Sequence, residues 1–285
     1  MSDRPASRKS GPVPPPPEGH PRRSRPLRAA RDRRPVLVVG LAVTGEAVAR
    51  HLLAEDRAVV ATDDRPDASV RRRARELGVP LVEAPTPALY AELGRGVSAV
   101  VVSPGVPAGH PALSLPGPVL SEVELAARVA GERDVPLVAV TGTNGKTTVT
   151  TLVARMLVAA GRRAVAAGNI GVPLIEAVSG PAEVVVAEVS SFQLALSQSF
   201  RPAVGVWLNL AEDHLDWHPS LDHYVAAKAR IWANQGPGDV AVANADDPVV
   251  MGAAEASPGS GRLVTFGLGG PAGSGAEAGG SGVSG

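Results

Sequence analysis

The sequence predicts an α/β protein built from two parallel-sheet units in succession: a Rossmann-like N-terminal domain, then a P-loop ATPase-type central domain that is incomplete. Three observations predict it. Short β-branched runs alternate with helical stretches, as βαβ units require. One early run, VLVVG, opens onto glycines at 40 and 45, and a later one, Leu137 to Val140, opens onto TGTNGKTT. With 285 residues, 44% apolar and 20% charged, the chain has material for two globular cores.

Residues 1–34 carry ten Lys and Arg against three Asp and Glu and include the run PPPP, whereas the rest of the chain is mildly acidic. This head reads as a disordered basic extension, and neither nucleic acid nor a membrane is expected as a partner. It lacks the apolar core of a signal peptide, and no 18-residue apolar run spans a membrane. The absence of cysteine excludes a disulfide framework and Cys-ligated zinc or iron–sulfur centres. A cytoplasmic monomer is expected.

The first domain is placed at 35–131. VLVVG reads as a strand, LAVTGEAVARHLL as a helix, AVVATDDR as a second strand, and a basic helix runs through Glu76. Gly40, Ala42 and Gly45 fall on the spacing G-x-G-x-x-G, with alanine where the backbone approaches a pyrophosphate most closely. Asp63 ends the second strand, where an acidic side chain reads a ribose hydroxyl in dinucleotide folds. Three readings stay open: a nucleotide-bearing substrate, a dinucleotide cofactor of an oxidoreductase, and a merely structural turn. The alanine counts against the second. Further on, VSAVVVSPGVP sets a strand before Pro104 and Gly105, whose loop faces the same crevice as the Gly40 loop. His110 reads as an exposed loop histidine, and the helix SEVELAARVAGERD leads to a boundary near 131–135.

The second domain is placed at 132–266. Gly142, Thr143, Asn144, Gly145, Lys146, Thr147 and Thr148 form the candidate ATP-binding loop, with a helix beginning near Lys146. Glycines allow a tight turn with inward N–H groups, and the helix N-terminus adds partial positive charge. Lys146 then reaches the β- and γ-phosphates and the Thr147 hydroxyl holds Mg²⁺. The strict motif would have glycine at 140, where Val140 stands. Glu188 ends the strand VVVAE, suited to Mg²⁺ or to a helix cap or ion pair. Asn209 ends the strand 203–209, and AEDHLDWH brings Glu212, Asp213, His214, Asp216 and His218 onto one loop, where His214 is either solvated or functional. On the helix LDHYVAAKARIWANQ, periodicity turns Tyr224, Ala227, Ile231 and Trp232 inward and sets Lys228 at the edge of that face. A solvated lysine is the ordinary reading there. Yet only Lys9, Lys146 and Lys228 are lysines among 28 Lys plus Arg, so the last two become functional candidates. Residues 267–285 hold nine glycines and read as a disordered tail.

Taken together, GLAVTG, SPGVPAGHP, VTGTNGKTTVT, GNIGVP, AEVSSFQL, LNLAEDHLDWH, YVAAKARIW and NADD resemble the Mur ligases of peptidoglycan synthesis, from about Pro35 to Phe266. The likeness is greatest to the members that join D-glutamate to UDP-N-acetylmuramoyl-L-alanine. It implies ATP-driven amide formation: the substrate carboxylate attacks the γ-phosphate and the amine captures the acyl phosphate. It also implies a uridine site at Val43, Thr44, Asp63, Asp64, Arg65 and Gly105, and substrate contacts at Asn169, Ser190 and His214. Lys146, Glu188, His214 and Lys228 fall on the family's catalytic positions, and Thr147, Glu188, His214 and Lys228 on its Mg²⁺ positions. Lys228 matches a lysine that the family carbamylates; an ammonium cannot ligate Mg²⁺, but a carbamate has a carboxylate's oxygens. The family carries a third domain, and Gly/Ser sequence stands here where the central domain should continue. The resemblance therefore implies a chain truncated at its end, with an idle nucleotide- and UDP-substrate-binding module as the alternative to a working ligase.

Overall fold

The computed structural model describes residues 33–211 and 217–268. The first half runs β1 (Val36–Val39), α1 (Val43–Ala54), β2 (Val59–Asp63), α2 (Ala68–Leu77), β3 (Leu81–Glu83), α3 (Pro87–Gly96), β4 (Ala99–Val102), β5 (Val119–Ser121) and α4 (Glu122–Glu132). The second runs β6 (Leu137–Thr141), α5 (Lys146–Ala159), β7 (Ala164–Gly168), α6 (Leu174–Ser179), β8 (Val184–Glu188), α7 (Ser191–Ala195), β9 (Val204–Trp207), α8 (Leu221–Ala233), β10 (Val240–Asn244), α9 (Pro248–Glu255) and β11 (Arg262–Phe266).

Two sheets result, ordered β3-β2-β1-β4-β5 and β11-β10-β9-β6-β8-β7, and their registered pairs are parallel. Strands covered by helices on both faces must be apolar throughout, which is why VLVV, AVVV and VVVAE are buried at every position. Helix starts follow the sequence: Asp67, Thr86, Ser121, Ser190, Ser220 and Asp247 each accept backbone N–H groups as N-caps. Parallel order also gathers the carboxyl ends of each sheet's strands on one side. Connections diverge between β1 and β4 in the first sheet and between β6 and β9 in the second, and these are the places where such sheets bind ligands.

Helix α4 follows the first sheet but packs against α6 and α7 of the second, and two buried carboxylates fasten it there. Glu124 accepts the N–H groups of Gln198 and Ser199 and pairs with Arg128 at 2.7 Å. Glu122 accepts the Ile175 N–H at 2.6 Å. Burial pushes the Glu122 carboxyl up from 4.5 to about 7, against the lowering effect of its backbone bonds from Ile175 and Leu174. A carboxyl whose folded-state pKa is raised binds its proton more tightly when folded, so its contribution is full below about pH 4.5 and falls away as pH rises through 7. Glu122→Gln keeps the acceptor and removes the charge. It should flatten that decline and raise stability near pH 8 by up to about 3 kcal/mol, read from urea midpoints at mildly acidic and mildly alkaline pH.

Candidate functional site

In the first crevice the glycine turn is forced. A Cβ on Gly45 would stand 1.8 Å from the Gly40 carbonyl oxygen, and Gly40 has φ +82°. Asp63 spends its carboxylate on the backbone, accepting the Leu41 N–H at 3.1 Å and the Arg65 N–H at 3.0 Å, and so braces the loops after β1 and β2. Asp64 is the more exposed of the pair and is oriented by the Tyr90 hydroxyl at 3.0 Å and His110 Nε2 at 2.8 Å. His110 is thus not the exposed loop histidine expected from the sequence. It is buried against the Tyr90 ring, and because its Nδ1 accepts the Ala112 N–H at 3.1 Å, its Nε2 is left to donate to Asp64. Around this floor Val43, Arg65 and Gly105 are exposed and Thr44 is half-buried. The Gly105 loop is tied to the Gly40 loop by Ser103, whose hydroxyl donates to the Gly40 carbonyl at 2.8 Å.

In the second sheet β6 delivers residues 142–145 to the start of α5, as a phosphate loop requires. Gly142 (φ +153°) passes close to residues 208–209, and a Cβ there would stand 3.1 Å from the Leu208 side chain. Lys146 Nζ donates to the carbonyls of Gly142 (3.0 Å) and Thr143 (2.9 Å). The Thr147 hydroxyl donates to Glu188 Oε2 at 2.8 Å, and Asn169 Nδ2 donates to Oε1 at 3.0 Å, so Glu188 is buried but bonded on both oxygens. Gly168 permits that arrangement, since a Cβ on it would lie 2.5 Å from the Glu188 carbonyl oxygen. Ser190 starts α7 in a capping box with Gln193.

Lys228 differs from its expected place at the edge of a helix face: only 2% of it is exposed. Its Nζ donates to the Gly142 carbonyl at 2.8 Å and lies 4.7 Å from the Tyr224 ring centroid. The packing of α8 against the phosphate loop draws it in, because the loop carbonyl supplies a polar partner at depth. His218 is also in the interior, bonded to the Ser191 hydroxyl at 2.8 Å and His223 at 2.9 Å within a ring of Phe192, Trp217 and Tyr224. The Trp217 indole donates to the Val106 carbonyl at 3.3 Å, joining the loop after β9 to the loop after β4. His214, with Glu212, Asp213 and Asp216, lies outside the described residues.

Among the described residues no group of three or more His, Cys, Asp or Glu gathers as a metal site. The hydroxyl of Thr147 beside the carboxylate of Glu188 does fit Mg²⁺, which takes one or two protein oxygens and completes its shell with phosphate and water. Sequence reasoning missed Asn209 and the Tyr224 hydroxyl, both of which touch Thr143. A polar residue at the carboxyl end of a strand beside a phosphate loop was the available signal.

The arrangement defines an α/β protein with a nucleotide-type phosphate loop and a second, glycine-turn crevice on a neighbouring sheet. Two family models match it: the Mur ligase middle domain over residues 140–280 and the Mur ligase MurD-like N-terminal domain over residues 34–116. The chain belongs to the Mur ligase family. It is 46% identical over 227 residues to the UDP-N-acetylmuramoylalanine–D-glutamate ligase of Pelotomaculum thermopropionicum, covering 76% of this chain and 48% of the relative. It is 45% identical over 249 residues to the ligase of the same name from Anaeromyxobacter dehalogenans, covering 83% and 51%. The chain thus spans about half the length of the curated relatives it matches. Its fold is similar to the UDP-N-acetylmuramate:L-alanyl-gamma-D-glutamyl-meso-diaminopimelate ligase of Neisseria meningitides (TM-score 0.55, 17% identity, 82% of this chain and 78% of that one). Among the described residues no helix is long and apolar enough to cross a membrane.

Proposed function

We propose that this chain carries the UDP-substrate and ATP sites of a cytoplasmic ligase that adds D-glutamate to UDP-N-acetylmuramoyl-L-alanine in peptidoglycan synthesis, and so serves cell shape and division. One observation carries the reading. Two of the chain's three lysines, Lys146 and Lys228, donate to the same carbonyl oxygen, that of Gly142, in a chain that otherwise uses arginine. Both amines are therefore held at one point of the phosphate loop.

With ATP in the loop, Lys146 exchanges its two carbonyl partners for phosphate oxygens and offsets the charge that builds as the substrate carboxylate attacks the γ-phosphorus. The bond to the β,γ-bridging oxygen breaks and ADP leaves, giving an acyl phosphate. The amine of D-glutamate then attacks the acyl carbon, inorganic phosphate departs, and the amine proton passes to a base or to water. Thr147 and Glu188, with His214 and Lys228 as further expected ligands, would hold Mg²⁺, which would supply Lewis-acid charge neutralisation. Glu188 is kept in place by Asn169, which in this reading also meets the substrate, together with Ser190. Val43, Thr44, Asp63, Asp64, Arg65 and Gly105 hold the uridine diphosphate end. Lys228 serves as a carbamate, formed when its amine adds carbon dioxide and releases a proton.

Incubation with UDP-N-acetylmuramoyl-L-alanine, ATP–Mg²⁺ and isotopically labelled D-glutamate should give labelled UDP-dipeptide. Calorimetric binding of both nucleotides without any product would instead identify an idle binding module. Binding of NADH in preference to the UDP-sugar would overturn the reading in favour of an oxidoreductase.

A further inference from the structure

The side chain of Asn209 is aimed into the phosphate loop from two residues beyond the end of the neighbouring strand β9. Its Oδ1 accepts the N–H groups of Thr143 (3.1 Å) and Asn144 (2.9 Å), and its Nδ2 donates to the Asn144 carbonyl at 3.1 Å. The Asn209 carbonyl meets the Thr143 N–H at 3.1 Å and the buried Trp207 indole N–H, also at 3.1 Å. The flanking backbone is fixed as well: Asn244 donates to the Leu208 carbonyl at 2.9 Å, and Asp247 accepts the Leu210 N–H at 2.7 Å. Asn209 is therefore a rigid post, set at the point where the connections of β6 and β9 diverge.

Residues 143 and 144 form the tip of a loop whose use depends on where its N–H groups point. A flexible loop must lose conformational freedom when phosphate binds, and that loss weakens affinity. A carboxamide suits the post in a way other side chains do not. It offers one acceptor for two donors and one donor for a carbonyl, and it carries no charge to repel a polyphosphate. Alanine would free the tip, while aspartate would keep the two N–H acceptors but set a negative charge beside the nucleotide's own.

We infer that Asn209 is a positioning residue of the nucleotide site, holding the tip of the phosphate loop in its ATP-binding form through three side-chain hydrogen bonds. The inference rests on the proposal that this loop binds ATP–Mg²⁺. Calorimetric titration of the whole chain with ATP–Mg²⁺ tests it, with UDP-N-acetylmuramoyl-L-alanine, whose uridine diphosphate end is assigned to the other sheet, as the control ligand. Asn209→Ala should bind ATP–Mg²⁺ roughly ten- to a hundredfold more weakly. Asn209→Asp should bind it more weakly still, with a deficit that shrinks as salt is added. Both variants should keep the parental affinity for the UDP-sugar. That control shows them folded, and a residue needed only for stability would leave the ATP affinity of such folded protein unchanged. Parental ATP affinity in both variants overturns the inference, as does an equal loss for both ligands. A parental chain that binds no ATP–Mg²⁺ overturns the proposed function instead.

Discussion

Lys146→Ala should abolish the rise in melting temperature that ATP–Mg²⁺ gives the parental chain. At a nucleotide concentration a hundredfold above Kd, binding to the native state stabilises by about 2.7 kcal/mol. For an ordered body of this size that corresponds to a rise of roughly 5–10 °C. The amine is the mobile charge of the loop: it rests on two carbonyl oxygens 2.9 and 3.0 Å away and can leave them for phosphate at little structural cost. Its removal should leave the unliganded melting temperature close to the parental value, because the Gly142 carbonyl keeps Lys228 as a partner at 2.8 Å and Thr143 is only half-buried. Differential scanning calorimetry with and without nucleotide gives both numbers. An undiminished nucleotide shift in the variant would remove Lys146 from the site.

What the sequence disclosed, and what it hid, divides along one physical line. Continuous β-branched runs, glycine turns and Lys-Thr spacing are local signals, so both parallel sheets and the phosphate loop were legible from residues such as Val36–Val39 and Gly145–Thr147. Residues whose role depends on a distant partner were not. His110 reads as a loop residue until β2 brings Asp64, 46 positions away, to within 2.8 Å of it. Lys228 sits on the border of a helical face by periodicity, but a carbonyl 86 positions distant makes burial tolerable. Asn209 reads only as a strand end in the sequence, and its meaning comes from a register that sets β9 beside β6. Parallel sheets make such pairings invisible locally, since each strand's neighbour arrives through a crossover rather than a hairpin. The eight motifs taken together carried the family where each motif alone could not, because their order along the chain is itself the record of those crossovers.

Lys228→Arg should eliminate ligation even though it keeps the positive charge, and the reason lies in what the site can accommodate. Lys228 is enclosed between the phosphate loop and the Tyr224 ring, with Nζ 2.8 Å from the Gly142 carbonyl. A guanidinium is larger and planar and does not add carbon dioxide under these conditions, so it can present only positive charge toward a metal. A carbamate on Lys228 keeps one N–H on Nζ. That N–H could still donate to Gly142, while in the proposed site two new oxygens would join Glu188 as hard ligands and reverse the local charge. Without that reversal a fixed ammonium beside Mg²⁺ would oppose the metal's binding. In ¹³C-bicarbonate the parental protein should show a carbamate carbon resonance that is missing from Lys228→Arg, a readout that does not depend on turnover. Lys228→Ala should also lose ligation, and a short acid such as acetate should restore part of it by supplying oxygens in the vacated space. Parental ligation by Lys228→Ala in buffer depleted of carbon dioxide would reduce Lys228 to a buried packing residue that braces Gly142.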